Sequence, residues 1–321
     1  MRHIFIINPT AGKKNCTAEL MAMAKRLGAN HSTDVECILT RSPGHATECV
    51  RTIAQTGDSV RFYVCGGDGT INEVVNGIAG IPTAAMTCIP VGTGNDFLKN
   101  FGEKAALFAD AENLWGGKQF ELDTIECNGR LALTIACSGF DAQVAEDVHT
   151  YGKSPVLGGQ GSYIASLAVN FLLRGLDHKW TVSIDGKTFN GNYALAVVCN
   201  GRHYGGGFMP IPQARMDDGL LNVLLMDRIN RATFLRFVGS YKNGDHEKFP
   251  QYAHVTEAKE IIIASERDEI VTCLDGEIIR DKCIEMRVSS KKVNFFGPTG
   301  CDPNATWRAS KSERGSFVNI L

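Results

Sequence analysis

The residues best placed to do chemistry lie in Val60 to Asn76, VRFYVCGGDGTINEVVN. Asp68 stands among glycines in Gly66-Gly67-Asp68-Gly69-Thr70, with Glu73 one helical turn on. Glycines let backbone N–H groups approach an anion closely, and a helix start adds unpaired donors at its positive end. A carboxylate in such a cradle is repelled by phosphate unless a cation or a proton-transfer role keeps it there. Asp68, Thr70 and Glu73 suit a hydrated cation and a phosphate, because Mg²⁺ takes oxygen ligands and bridges phosphates. Standing alone, the motif is equally well a tight turn with Asp68 as a helix-start residue. It is no Walker loop, since GxxxxGK[ST] is absent, and it lacks the third glycine of a dinucleotide fingerprint.

Gly92-Thr93-Gly94-Asn95-Asp96 repeats the logic. Its glycines allow close approach, Thr93 can donate to a phosphate, and Asn95 can hold the loop or a nucleotide group. Asn8-Pro9-Thr10-Ala11-Gly12 is a third turn of the same kind. Asp275-Gly276-Glu277 reads as a hairpin turn followed by an acid, and Asp217-Asp218-Gly219 as a turn stabilised by Asp218.

The elements that must position these loops alternate through the first third of the chain. Strands are expected at Arg2–Asn8, Val35–Leu39, Val60–Cys65 and Thr83–Pro90, and helices at Thr17–Leu27, His45–Gln55 and from Ile71. That order predicts a mostly parallel sheet with helices on both faces, and ligands at the carboxyl ends of its strands. Near Gln119–Asp123 the pattern changes to short apolar runs with turns such as Asn128-Gly129 and Asp185-Gly186. The expected organisation is an α/β domain over 1–121, an antiparallel β-sandwich or flattened barrel over 122–296 with one helix at Tyr163–Leu176, and an irregular tail over 297–321.

With 33 basic and 35 acidic residues, the chain has no charge signature of a nucleic-acid binder. Its eleven cysteines are scattered and none is in C-x-x-C spacing, which points to a reducing cytoplasm and against a zinc site. No apolar run approaches the ~20 residues of a spanning helix, and Met1 opens no signal-peptide pattern.

Taken in order, these motifs and Gly139-Phe140-Asp141-Ala142, Gly205-Gly206-Gly207 and Asp217-Asp218-Gly219-Leu220 resemble the lipid-kinase superfamily of bacterial diacylglycerol kinases, sphingosine kinases and ceramide kinases. The likeness is greatest to the bacterial diacylglycerol kinase branch and covers residues 4 to 296. It implies a phosphofructokinase-like first domain that binds ATP, a β-sandwich carrying the lipid site, and a cleft between them. By motif, Asn8, Pro9, Thr10, Gly66, Gly67, Asp68, Gly69, Thr70, Ile71, Asn72 and Thr93 would contact the nucleotide, with Glu73 and Asn95 in the same loops and Thr40 added for its place after the second strand. Glu277 would be the general base, with Asp275 beside it and Asp68 as the alternative base and the partner of Mg·ATP. The Asp218 side chain and the carbonyls of Arg215 and Leu220 would hold a structural Mg²⁺.

The expected activity is ATP- and Mg²⁺-dependent phosphorylation of a lipid, diacylglycerol first, for phospholipid biosynthesis. Another lipid such as a sphingoid base or phosphatidylglycerol, an NAD kinase, and an inactive nucleotide-binding relative are the alternatives. A lipid substrate requires transient contact with a membrane surface, and a homodimer is expected at the level of the family.

Overall fold

The computed structural model describes residues 1–151 and 176–304. The helix expected at Tyr163–Leu176 falls, up to residue 175, outside them, as does the tail from residue 305.

The first unit is built on β1 (Arg2–Ile7), β2 (Val35–Leu39), β3 (Val60–Gly66) and β4 (Ala84–Pro90), all parallel, with α1 (Thr17–His31), α2 (His45–Ala54) and α3 (Asp68–Ile78) between them. Strands buried on both faces need apolar residues throughout, and Phe62 to Cys65 are 0% exposed. The exception, Arg61, lays its guanidinium 4.6 Å from the Phe296 ring and donates to Trp115 O at 2.8 Å.

The chain then runs through 3₁₀ turns at Phe97–Ala109, broken where Gly102 takes φ +56°, and a short α4 (Glu112–Trp115). β5 (Lys118–Leu122) follows at the far edge of the first sheet. Between β4 and β5 lies β17 (Val293–Gly297), the last strand of the described chain. Within the stretch 122–296 the chain thus returns to close the first sheet. Phe295 and Phe296, both fully buried, supply the reason: they pack with Tyr63, Phe97 and Phe101.

The second unit is one curled, mostly antiparallel sheet of eleven strands. β6 (Ile125–Cys127), β7 (Arg130–Ala132), β8 (Ile135–Gly139), β9 (His178–Ile184) and β10 (Lys187–Cys199) open it. β11 (Leu221–Asp227), β12 (Ala253–Ala258), β13 (Glu260–Ala264), β14 (Ile270–Leu274), β15 (Glu277–Asp281) and β16 (Cys283–Val288) complete it. Asn128-Gly129, Asp185-Gly186 and Asp275-Gly276 each hold two consecutive positive-φ residues and make the two-residue hairpin turns that their types favour.

Alternate residues sort onto two cores. Ala136, Ala196, Val198, Val223 and Leu225 face the inside of the curl, while Cys137, Leu195, Val197, Leu224 and Met226 face outward. Two helices that the sequence reading did not place, α5 (Phe140–Tyr151) and α6 (Arg231–Lys242), border that outer core, to which Phe140, Phe234, Phe237 and Tyr241 belong. Burial on both faces is why β10 ends in an unbroken apolar run rather than an alternating one.

Candidate active site

Parallel register brings four loops level. Ile7 pairs with Leu39 and Cys65, and Gly66 with Pro90, so the loops after β1, β2, β3 and β4 emerge at one end of the sheet. Thr40 N donates to Ile7 O at 2.8 Å, which places Thr40 beside Asn8 at that end.

Asn8 ties the first loop to the third strand's helix. Its Nδ2 donates to Thr70 Oγ1 at 3.0 Å, and its Oδ1 accepts from Thr10 N at 3.0 Å and Thr10 Oγ1 at 2.9 Å. Pro9 and Thr10 follow at the rim. Thr70 in turn requires Gly66, because a Cβ there would stand 2.4 Å from the Thr70 side chain. α3 begins directly after Gly67, whose lack of a side chain leaves the helix start uncapped and open to an anion. Ile71 contributes only its backbone to this turn; its side chain belongs to the core.

The two glycine loops touch glycine to glycine. A Cβ on Gly92 would lie 2.5 Å from Gly67 Cα, and one on Gly94 3.0 Å from Asp68 Oδ2. Asp68 closes the joint: its Oδ2 accepts from Asp96 N and its Oδ1 from Phe97 N, each at 3.1 Å. Burial raises the Asp68 carboxyl above its ordinary range, and the two N–H donors act against that shift. Asn95, at φ +48°, donates from Nδ2 to Gly92 O at 2.8 Å and so holds its own loop, leaving Thr93 exposed at the tip.

Three expected nucleotide or catalytic residues have structural partners. Both Glu73 oxygens accept backbone donors at the start of α2, Gly44 N at 2.9 Å and Ala46 N at 3.0 Å. Asn72 reaches the second unit: its Nδ2 donates to Leu131 O at 2.9 Å and approaches Asp275 Oδ2 at 3.4 Å. Asn76, one turn on, both donates to Leu131 O and accepts from Leu131 N, so α3 is stitched to β7 of the second unit. Asp275 accepts from Leu133 N at 2.5 Å, Thr134 N at 3.1 Å and Ile135 N at 2.9 Å, fixing the approach to β8. Burial pushes its carboxyl up to about 6, against the pull of those donors.

Glu277 differs from these acids. The hairpin places it at the start of β15, exposed, with Oε1 4.0 Å from where a Cβ on Gly69 would stand. Its side chain has no hydrogen-bond partner among the described residues. An acid from the second unit thus faces the glycine loop of the first.

Asp96, at the end of the Gly92–Asp96 loop, has a role that no sequence motif marks. Its Oδ2 accepts from Gly206 N at 2.8 Å and its Oδ1 pairs with Lys99, so it bridges the two units across the cleft. A contact between residues 96 and 206 leaves no local signature.

At the expected metal position, Asp218 Oδ1 accepts from Leu220 N at 3.1 Å. Burial raises its carboxyl, and the charge of Asp123 adds to the shift. Asp123, fully buried, accepts from Gly219 N at 2.7 Å and stands 3.1 Å from Lys292 Nζ. Lys292 already meets the charge of Asp123, and the Asp218 carboxylate with nearby carbonyls is an all-oxygen set of the kind that fits Mg²⁺. Among the described residues no three His, Cys, Asp or Glu cluster for a metal, so carbonyls and water would complete the set.

Family models match almost the whole described chain. The diacylglycerol kinase catalytic domain matches residues 2–127, and the YegS C-terminal NAD kinase beta sandwich-like domain matches 134–297. The chain belongs to the bacterial diacylglycerol kinase-like lipid kinases. A diacylglycerol kinase of Bacillus subtilis is 29% identical over 280 residues, covering 85% of this chain and 88% of its own. One from Staphylococcus saprophyticus is 27% identical, covering 85% and 87%. The fold of this lipid kinase is also that of a Bacillus anthracis diacylglycerol kinase (TM-score 0.68, 21% identity, 93% and 97% covered). An NAD kinase from Archaeoglobus fulgidus, solved with ATP, shares it more distantly (TM-score 0.51, 15% identity, 93% and 94% covered).

Proposed function

We propose that this lipid kinase transfers the γ-phosphate of ATP to the hydroxyl of diacylglycerol, giving phosphatidic acid. The observation that carries the reading is Glu277: it is the acid beside the glycine loop whose oxygens meet no donor among the described residues. The lipid oxygen attacks γ-phosphorus, the bond from phosphorus to the β,γ-bridging oxygen breaks, and the hydroxyl proton passes to Glu277. The Gly67–Thr70 turn and the Gly92–Asn95 loop would receive the phosphates on backbone N–H groups, with Asn8, Thr10, Thr40 and Thr93 at the rim. Mg²⁺ would neutralise phosphate charge beside Asp68, and a second ion would brace the Arg215–Leu220 turn through Asp218. Asp68 and Asp275 act by holding loops.

No helix among the described residues is long and apolar enough to cross a membrane, which suits an enzyme that meets its lipid peripherally. Eleven unpaired cysteines suit a reducing cytoplasm. A homodimer and the domain bounds 1–121 and 122–296, with β17 joining the first sheet, are part of this proposal.

The test is transfer of label from ATP to diacylglycerol, a sphingoid base, phosphatidylglycerol or NAD in parallel. Diacylglycerol is expected to be the preferred acceptor, and preference for NAD or absence of any transfer would overturn the reading. Glu277→Gln is expected to lower turnover by roughly 10²-fold with little change in ATP affinity; undiminished turnover sinks the base assignment.

A further inference from the structure

Asp141, at the start of α5, is an acid that this mechanism does not use. Tyr204 donates its hydroxyl to Asp141 Oδ2, and Tyr241 does so at 2.5 Å. The two phenol oxygens also lie 2.5 Å apart, and Tyr241 is 3% exposed. The surroundings are apolar: Phe140 meets Phe234 edge-on, and Phe208 and Phe237 lie against Tyr241. A carboxylate there is costly compared with another apolar side chain, so packing alone does not account for it.

What it holds is a loop. Tyr204 N donates to Phe208 O at 3.0 Å and Phe208 N to Tyr204 O at 2.8 Å, closing Gly205-Gly206-Gly207 into a tight turn. All three glycines have positive φ, of 56°, 79° and 107°, so the turn admits no side chains without strain. Gly206 N reaches across the cleft to Asp96 Oδ2 at 2.8 Å, and Asp96 N donates to Asp68 Oδ2. An unbroken chain of bonds therefore runs from Asp141 through Tyr204 and the glycine turn to Asp96 and Asp68.

We infer that Asp141 is a positioning residue for phosphate transfer: it fixes Tyr204, and through it the Gly206 N–H that aligns Asp96 between the two glycine loops. The inference rests on the cleft beside Gly69 being the site of transfer. It predicts that Asp141 and Asp96 act as one unit, although their side chains do not touch.

A double-mutant cycle tests this with Asp141→Asn, Asp96→Asn and the pair, reading kcat, KM for ATP and Tm. Asp141→Asn is expected to lower kcat about tenfold with KM for ATP nearly unchanged, and to add nothing once Asp96 is changed. Tyr204→Phe, which keeps the ring, is run through the same cycle and is expected to show the same loss of effect in the Asp96→Asn background. Additive effects on kcat, or a lower Tm with unaltered kcat, overturn the positioning role while leaving the site intact. A wild-type enzyme that transfers phosphate to no acceptor overturns both.

Discussion

Gly92→Ala is expected to disable this lipid kinase without unfolding it. The added Cβ would stand 2.5 Å from Gly67 Cα, 2.9 Å from Asn95 Oδ1 and 3.1 Å from Gly67 N. Carbon atoms in contact prefer about 3.5–4.0 Å, so the two loops must part by roughly 1 Å. Two of the three opposing atoms are backbone, and no rotamer change relieves them. A shift of about 1 Å in positioning groups costs on the order of 10²-fold in rate. The stability cost is that of overpacking, about 1–3 kcal/mol. Gly77 supplies the control: its Cβ would meet Val50 Cγ2 at 2.3 Å and Thr47 O at 2.9 Å, in the packing of α2 on α3. Gly77→Ala is therefore expected to lower Tm, at about 2–4 °C per kcal/mol, by at least as much as Gly92→Ala while retaining far more activity. Steady-state transfer from ATP and thermal melts of both variants decide the matter. A Gly92→Ala enzyme within threefold of wild type in kcat/KM would refute the claim that glycine contact between the loops builds the phosphate site.

Glu73→Ala removes the acceptor for Gly44 N and Ala46 N and is expected to cost about 1 kcal/mol in urea denaturation, as loss of a helix cap does; loss of ATP affinity without loss of stability would return Glu73 to the nucleotide site. Asn76→Ala breaks both bonds to Leu131 and is expected to destabilise the joint between the units by about 1–3 kcal/mol, read by hydrogen exchange in α3 and β7. The Asp275 carboxyl, pushed up to about 6 by burial, lies above its unfolded value, so the folded chain binds more protons between about pH 4 and 6. Its stabilising contribution is complete below that window and is lost as pH rises through it, by about 3 kcal/mol. Asp275→Asn is expected to flatten that part of the stability profile, and an unchanged profile would contradict the assignment.

The parallel order of β1 to β4 and the hairpins at Asn128-Gly129 and Asp275-Gly276 were legible because both rest on local chemistry. Apolar runs that end in glycine announce strand and turn without reference to the rest of the chain. α6 was legible in principle: Asn230 accepts from Thr233 N as its cap, and Phe234, Phe237 and Tyr241 recur at helical spacing. β17 was not, since Val293–Gly297 looks like any short buried strand and only Phe295 against Phe97 and Phe101 draws it into the first sheet. The acids were equally opaque. Asp68, Glu73, Asp275 and Glu277 all follow or precede glycine turns, and what distinguishes them is a partner elsewhere in the chain, 142 residues away for Asp275 and Leu133.

Those partners also explain how the proposed ATP cleft can contain so many carboxylates. Asp68, Glu73 and Asp275 each direct both oxygens at backbone N–H groups, and Asp96 divides its own between Gly206 N and Lys99. A carboxylate held this way has its charge spread over fixed donors and repels an approaching phosphate less than a free one does. It also braces the turn whose remaining N–H groups face the cleft. Glu277 has no such donors among the described residues, which leaves its carboxylate open to accept a proton in the proposed transfer. In the proposed mechanism the attacking hydroxyl would supply that proton, and Glu277 stands on the second unit, the side from which the lipid would come.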